Sequence, residues 1–151
     1  MNNFEQTIKE LAEYTGLELK VNTNNAVFLE YNDLPVTLQY RENNDDICIF
    51  SSVTDPENID NLDEETLRNA LNLAFNGEGT ENNFLGLDNG ELILSNAIPL
   101  QNLTVEEFAL KIINFSHAAV RVYNALLAWE PEAYMPRERD FQLLANQLIC
   151  C

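Results

Sequence analysis

Near the start of the chain, apolar residues recur at the spacing of an α-helix. Phe4, Ile8 and Leu11 occupy positions i, i+4 and i+7, so a helix would place all three on one face. Gly16 follows this stretch, and glycine readily adopts the left-handed backbone conformation that ends many helices. The pattern therefore predicts a first helix over residues 4–15.

The next third of the chain has the two-residue period of half-buried β-strands. In residues 26–31 and 36–41, alternate positions hold Val27, Leu29 and Tyr31 and then Val36, Leu38 and Tyr40, which would share one face of each strand. Residues 47–53 are rich in strand-forming residues. Asn32-Asp33 and the polar stretch 42–46 separate these segments and are suited to turns. Three short strands with short connections predict an antiparallel meander. We also expect a brief leading strand over residues 17–21.

A second helical pattern follows, from about Asp63 to Phe75. Leu67, Leu71 and Phe75 would share one face of this helix. Gly77 lies just beyond the pattern and favours the end of the helix. This apolar face would pack either inside the monomer or against a second copy of the chain about a two-fold axis.

Two further strands are predicted over residues 83–87 and 91–97. Asp88, Asn89 and Gly90 join them. An Asn-Gly step is a strong hairpin signal because both residues tolerate positive φ. The second pair of strands is therefore expected to form a β-hairpin.

The last main element is a long amphipathic helix. Thr104 and Glu107 have the spacing of a capping box, in which each satisfies a backbone N–H group at the start of the helix. The apolar positions then alternate in steps of three and four, at Val105, Phe108, Ile112, Phe115, Ala119, Val122, Leu126 and Trp129. Pro131 is expected to end the helix. Its length of about 25 residues, roughly 37 Å, predicts that it crosses the sheet as the main packing layer.

The predicted order of elements is α-β-β-β-α-β-β-α, which is typical of an α+β fold with a twisted antiparallel sheet packed by helices. We expect one domain over residues 1–129 and a C-terminal tail over residues 130–151. Pro131 and Pro136 separate this tail from the long helix. The tail has the apolar spacing of a short helix, at Phe141, Leu144 and Leu148.

Charge narrows the range of partners. The 151 residues include 25 acidic and 8 basic side chains, for a formal net charge of −17. Nucleic-acid affinity depends on clustered Lys and Arg, so a nucleic-acid partner is not expected. The same balance argues against binding to anionic membranes and favours basic protein partners.

The sequence offers little for catalysis, and we expect neither an enzyme, a metal site nor a cofactor. The one histidine, His117, lies off the main apolar stripe of the last helix and is predicted to be a surface or rim residue. No spacing of Cys and His is suited to zinc, and no glycine-rich phosphate loop is present. Cys48, in an alternating strand, is predicted to be a buried thiol. The N-terminal residues have no secretion signal, which favours the cytosol.

Several stretches of the second half resemble the signature of one known family. They are Asn83–Asp88 with its turn to Gly90, Glu91–Leu94, Ile98–Leu100 and Leu103–Phe108. Together with the long helix they resemble the class I type III secretion chaperones, the Tir-chaperone-like family, over about residues 3–128. That family has the same element order, small size and acidic character.

The resemblance implies a function in protein binding. It implies a homodimer in the bacterial cytoplasm that holds the extended N-terminal segment of secreted effector proteins and keeps it competent for secretion. It also implies the ATPase of the secretion system as a further partner. An acidic adaptor or anti-activator with the same fold is the alternative that the sequence leaves open.

The resemblance also assigns two sets of residues. The client-binding region would comprise Phe4, Ile8, Leu11, Phe28, Leu34, Val36, Leu38 and Tyr40. Since a strand exposes only alternate side chains, some of these residues are expected to face the core instead. The dimer interface would comprise Leu67, Leu71, Phe75, Phe84 and Leu92.

Overall fold

The computed structural model describes residues 3–54 and 63–127. These residues form three α-helices and five strands, which confirms the predicted order of elements. In chain order they are α1 (Asn3–Thr15), β1 (Ala26–Tyr31), β2 (Leu34–Arg41), β3 (Asp46–Ser52), α2 (Glu64–Ala74), β4 (Phe84–Asp88), β5 (Glu91–Pro99) and α3 (Val105–Leu127).

The five strands form one antiparallel sheet in the order β1-β2-β3-β5-β4, so β1 and β4 are its edges. Two of its hairpins have two-residue turns. Both turns have positive φ at both residues, at Asn32 and Asp33 in one and at Asn89 and Gly90 in the other. This geometry matches the right-handed twist of paired strands, and it confirms the predicted hairpin signal.

The helices pack on one face of the sheet, here called the inner face. α1 contributes its predicted stripe, and the ring of Phe4 stacks on Tyr40 of β2 with ring centres 5.3 Å apart. α3 buries most of its predicted stripe against the same face. The largest fully buried apolar side chains are Phe4, Leu11, Val27, Val36, Leu38, Ile47, Ile49, Val53, Leu94, Phe108 and Val122. Each such side chain contributes roughly 1.5–3 kcal/mol when it leaves water.

The starts of two helices are capped by side chains. Thr104 Oγ1 accepts a hydrogen bond from the Glu107 N–H at 3.2 Å, and the Glu107 carboxylate accepts one from the Thr104 N–H at 3.5 Å. This reciprocal pair confirms the predicted capping box. At the start of α2, Asp63 Oδ1 accepts from the Thr66 N–H at 2.8 Å.

The leading strand expected over residues 17–21 is wrong, because this segment has no regular structure. Leu19 and Val21 pack partly against the core, which accounts for the alternating pattern. Asn22 then ends the segment in a turn, since its side chain accepts hydrogen bonds from the backbone N–H groups of Asn24 and Ala26. The alternation therefore reflects packing without a strand partner.

The predicted tail, Trp129 and Pro131 lie outside the described residues. Among the helices that the structure describes, none is both long and apolar enough to span a membrane.

Candidate protein-binding surfaces

The second face of the sheet, here called the outer face, presents large apolar side chains to solvent. Phe28 at one edge of the sheet is 69% exposed, and Phe84 at the other edge is 68% exposed. Phe50 lies between them on β3 and is half-buried. Exposed aromatic surface of this kind is typical of protein interaction sites.

One cross-strand row connects these three rings. Phe28 is opposite Thr37, Thr37 is opposite Phe50, Phe50 is opposite Ser95, and Ser95 is opposite Phe84. Neighbouring strands are about 4.8 Å apart, so successive Phe residues in the row are about 10 Å apart. The smaller Thr37 and Ser95 lie between them. We call these five residues the aromatic row; it offers three apolar projections and two intervening notches for the side chains of a partner.

A second row runs beside the first. Cys48 is opposite Gln39 on β2 and Ala97 on β5, and it lies two residues before Phe50 on the same strand. Cys48 is a free thiol and is half-buried, so the prediction of a buried thiol is wrong. Its side chain points to the outer face, and it stays half-exposed because no described helix packs on that face. Burial remains sufficient to raise the pKa of the Cys48 thiol above its ordinary value.

An ion pair closes one end of the outer face. Arg41 Nε donates to Asp46 Oδ1 at 2.8 Å, and Arg41 Nη2 donates to Asp46 Oδ2 at 2.6 Å. The two residues are opposite each other on β2 and β3. The hydrogen bonds to Asp46 raise the pKa of Arg41. This two-bond pairing removes one positive charge from an outer face that is otherwise poor in cations.

A second exposed apolar surface involves α2 and β4. Leu71 and Phe75 are 72% and 73% exposed, and Phe84 and Leu87 of β4 are also exposed. We call these four residues the α2–β4 surface; they surround the free edge of β4, with Leu87 on the inner face of the strand and Phe84 on its outer face. It meets the aromatic row at Phe84.

The predicted stripe of α2 is divided by the structure. Leu67 is half-buried and packs against the core, whereas Leu71 and Phe75 face solvent. The buried face of α2 instead consists of Asn69, Ala70 and Leu73. Leu92, also assigned to the dimer interface from sequence, is buried in the monomer core.

The residues assigned to client binding fall into two groups. Phe28 is exposed and Tyr40 is half-buried; the Tyr40 hydroxyl donates to Asp45 Oδ1 at 3.1 Å. The remaining six lie in the hydrophobic core, namely Phe4, Ile8, Leu11, Leu34, Val36 and Leu38. Phe28 therefore lies on an open surface, whereas those six residues pack in the core beneath the same region. The contact of each residue with a client stays a prediction.

Two surface residues were missed by the sequence assignment. Phe50 completes the aromatic row, and Leu87 adds to the α2–β4 surface. Alternation places Phe50 on the face opposite Ile47 and Ile49, and this was the available signal. Which face remains open depends on where the helices pack, and that information is not local to β3.

His117 does not belong to either surface. It is half-buried on α3, and its ring lies 5.3 Å from that of Tyr31. Across the described ranges, no three His, Cys, Asp or Glu side chains come together in a group that would hold a metal ion.

The fold and these surfaces define a small α+β protein with an exposed aromatic sheet face. The chain matches the model of the Tir chaperone protein (CesT) family over residues 6–122, and it belongs to that family. The family consists of chaperones rather than enzymes. No curated protein matches the sequence.

Solved structures with the same fold include chaperones bound to effectors. The ExsC–ExsE complex has a chain that is 21% identical, with a TM-score of 0.67 over 83% of this chain and 97% of that one. The HopA1–SchA chaperone–effector complex gives 14% identity and 0.59 over 82% and 92%. The Yersinia pestis secretion chaperone SycH, in complex with a YscM2 fragment, gives 13% and 0.56 over 79% and 98%. At these sequence identities, the structural similarity shows that this chain shares their fold.

Proposed function

We propose that this protein is a type III secretion chaperone that binds an extended N-terminal segment of one or more secreted effectors in the bacterial cytoplasm. The observation that carries the proposal is the aromatic row on the open face of a CesT-family sheet. An unfolded client has to lose conformational entropy when it binds, so the contact must be large and apolar. The row crosses all five strands, and its three phenylalanines supply such a contact. The secretion system's ATPase is included as a further partner on family grounds.

The client is proposed to lie over the outer face, with Phe28 as its most exposed contact. Apolar client side chains would enter the notches above Thr37 and Ser95. The protein's net charge of −17 favours a client segment that is basic as well as apolar. The core residues of α1 and β2 would hold this face rigid.

Homodimerisation is proposed at the α2–β4 surface. Leu71, Phe75 and Phe84 are too large and too exposed to be explained by packing within the described monomer. A two-fold axis beside the free edge of β4 would bury these residues against a second copy of the chain. Leu67 and Leu92 would pack behind the interface, toward the core of each monomer.

Co-expression with neighbouring effector genes, followed by size-exclusion chromatography with light scattering, tests the proposal. The expected result is a dimer of the 17.2 kDa chain that elutes with one effector fragment. A monomer that binds no effector segment would contradict it. Capture of a non-secreted regulator instead of an effector would favour the adaptor or anti-activator function.

A further inference from the structure

The aromatic row presents two notches at a fixed distance from each other. Thr37 on β2 and Ser95 on β5 are separated by β3, so two strand spacings, about 9.6 Å, lie between them. Phe50 stands half-way between the two notches. α1 and α3 pack on the opposite face of the sheet. A rod-shaped segment with large apolar side chains about 10 Å apart would therefore fill both notches.

The last described helix ends close to this face. Tyr123 and Asn124, near the end of α3, line a cavity of about 300 Å³ together with Asp33 of the β1–β2 turn and Glu91 at the start of β5. The end of α3 therefore lies at the end of the sheet that carries both two-residue turns. Residues 128–141 can span up to about 46 Å when extended, which is enough to pass around this end to the outer face.

The sequence of the C-terminal tail contains an apolar segment of matching spacing. Phe141, Leu144 and Leu148 are spaced as one face of a helix, and residues 141–151 have no charged side chain. In a helix, Phe141 and Leu148 are about 10.5 Å apart along the axis, close to the distance between the notches. The eleven residues would extend over about 16 Å, within the length of the aromatic row.

From these matches we infer that residues 141–151 lie along the aromatic row as a short helix in the client-free protein, with Phe141 and Leu148 in the notches above Thr37 and Ser95. The inference rests on the proposed function, since the segment occupies the place of the client and an effector displaces it. Because the segment is tethered, its effective concentration at the face is in the millimolar range, so a weak contact is sufficient. Covering the rings also protects an apolar surface from association until a client arrives.

The charge at the turn end of the sheet supports this path. Glu30 and Asp33 lie at the β1–β2 turn. Asp88 and Glu91 lie at the β4–β5 turn, which the strand registers bring to the same end. Among the described residues, no Lys or Arg forms an ion pair with any of these four carboxylates. A chain that crosses this end therefore gains from positive charge on the side that faces the sheet.

The segment just before Phe141 has such a charge pattern. Arg137 and Arg139 alternate with Glu138 and Asp140. In an extended chain alternate side chains point to the same side, so both Arg residues can face the acidic end of the sheet while both carboxylates face solvent. The basic positions thus precede the uncharged apolar segment in the order that this path requires.

The contact is tested by NMR on the full-length protein without an effector, with Leu methyl groups and Phe rings labelled. We expect nuclear Overhauser effects between the methyl groups of Leu144 and Leu148 and the ring of Phe50, which flanks both notches. The ring of Phe4 in the core is the control and should show none with these two residues. Absence of the contacts to Phe50 would overturn the inference. In a mixture of differently labelled copies, contacts seen only between copies would place the segment on a partner and overturn it as well.

Displacement is tested by titration calorimetry with the effector fragment captured by co-expression. If the segment covers the row in about 80% of free molecules, it raises the apparent Kd about fivefold. The double substitution Phe141→Ser and Leu148→Ser should therefore lower the Kd about fivefold. Gln142→Ser with Asn146→Ser, on the opposite side of the helix, is the matched control and should leave the Kd unchanged. Equal Kd values for the two double variants would overturn the displacement.

These experiments separate the inference from the proposed function. If no effector is captured, the proposed function fails, and the contacts to Phe50 alone decide where the segment lies. If an effector binds but neither the contacts nor the fall in Kd is observed, only this inference fails.

Discussion

Phe28 and Phe84 stand at the two ends of one cross-strand row, on opposite edges of the same face of the sheet. Phe84 also belongs to the α2–β4 surface, so the proposed client surface runs up to the proposed dimer interface. In a two-fold dimer, the rows of the two copies would approach each other through their Phe84 ends. Dimerisation would then lengthen the surface offered to one client.

Introducing like charges at the proposed dimer interface should produce monomers. The double substitution Leu71→Glu and Phe75→Glu places four carboxylates in the two-copy interface and is expected to give a mass near 17.2 kDa by light scattering. The fold should persist, because both side chains are exposed in the monomer. Leu110→Glu on α3 is a matched control, since Leu110 is also exposed but lies outside this surface. A double variant that remains dimeric would place the interface elsewhere.

Truncation of Phe28 should weaken effector binding without loss of stability. Phe28→Ser removes the most exposed ring of the aromatic row, and we expect about a tenfold or greater rise in the effector Kd by titration calorimetry. The free energy of unfolding should change by less than about 0.5 kcal/mol, since the residue is on the surface. Tyr14→Ser, at another exposed aromatic residue on α1, serves as the control. Equal affinities of both variants would exclude Phe28 from the client surface.

The stability of α2 should depend on pH through Asp63. Hydrogen bonds from the Thr66 side chain and backbone N–H lower the pKa of Asp63 below its usual value. The ionised carboxylate therefore stabilises the folded helix above the unfolded pKa of about 4, and this contribution is lost as pH falls through the lower folded pKa. Asp63→Asn retains a capping side chain that does not titrate. Protection factors of the α2 amides, which correct for the intrinsic pH dependence of exchange, should fall below pH 4 more in the natural protein than in Asp63→Asn; an equal fall would contradict the prediction.

Cys48 offers a reporter for occupancy of the outer face. In a background with Cys150→Ser and Cys151→Ser, the thiol should react slowly with a disulfide reagent at pH 8, because burial raises its pKa and reduces the thiolate fraction. Effector binding over the aromatic row should slow the reaction further. Cys48→Ser gives the background rate. A rate that is unchanged by a bound effector would show that the client does not cover this part of the sheet.

Local sequence determined the elements of this protein because their signals act over a few residues. The 3.6-residue period located α1 and α3, the Thr104–Glu107 capping box fixed the start of α3, and Asn89-Gly90 fixed a hairpin turn. Two assignments failed: the alternation in residues 17–21 reflects packing without a strand partner, and Cys48 is only half-buried. The Leu67–Phe75 stripe had two possible meanings in the sequence, and the structure leaves Leu71 and Phe75 exposed.

Only the tertiary structure decided which apolar residues are available to a partner. Phe4 and Phe28 are equally apolar in the sequence, yet one lies in the core and the other is largely exposed. The difference arises because α1 and α3 cover the inner face of the sheet, and that choice depends on contacts between distant segments. The aromatic row likewise depends on the register of all five strands. The sequence by itself therefore determined the helices, strands and family of this protein, whereas its open surfaces followed from how those elements pack.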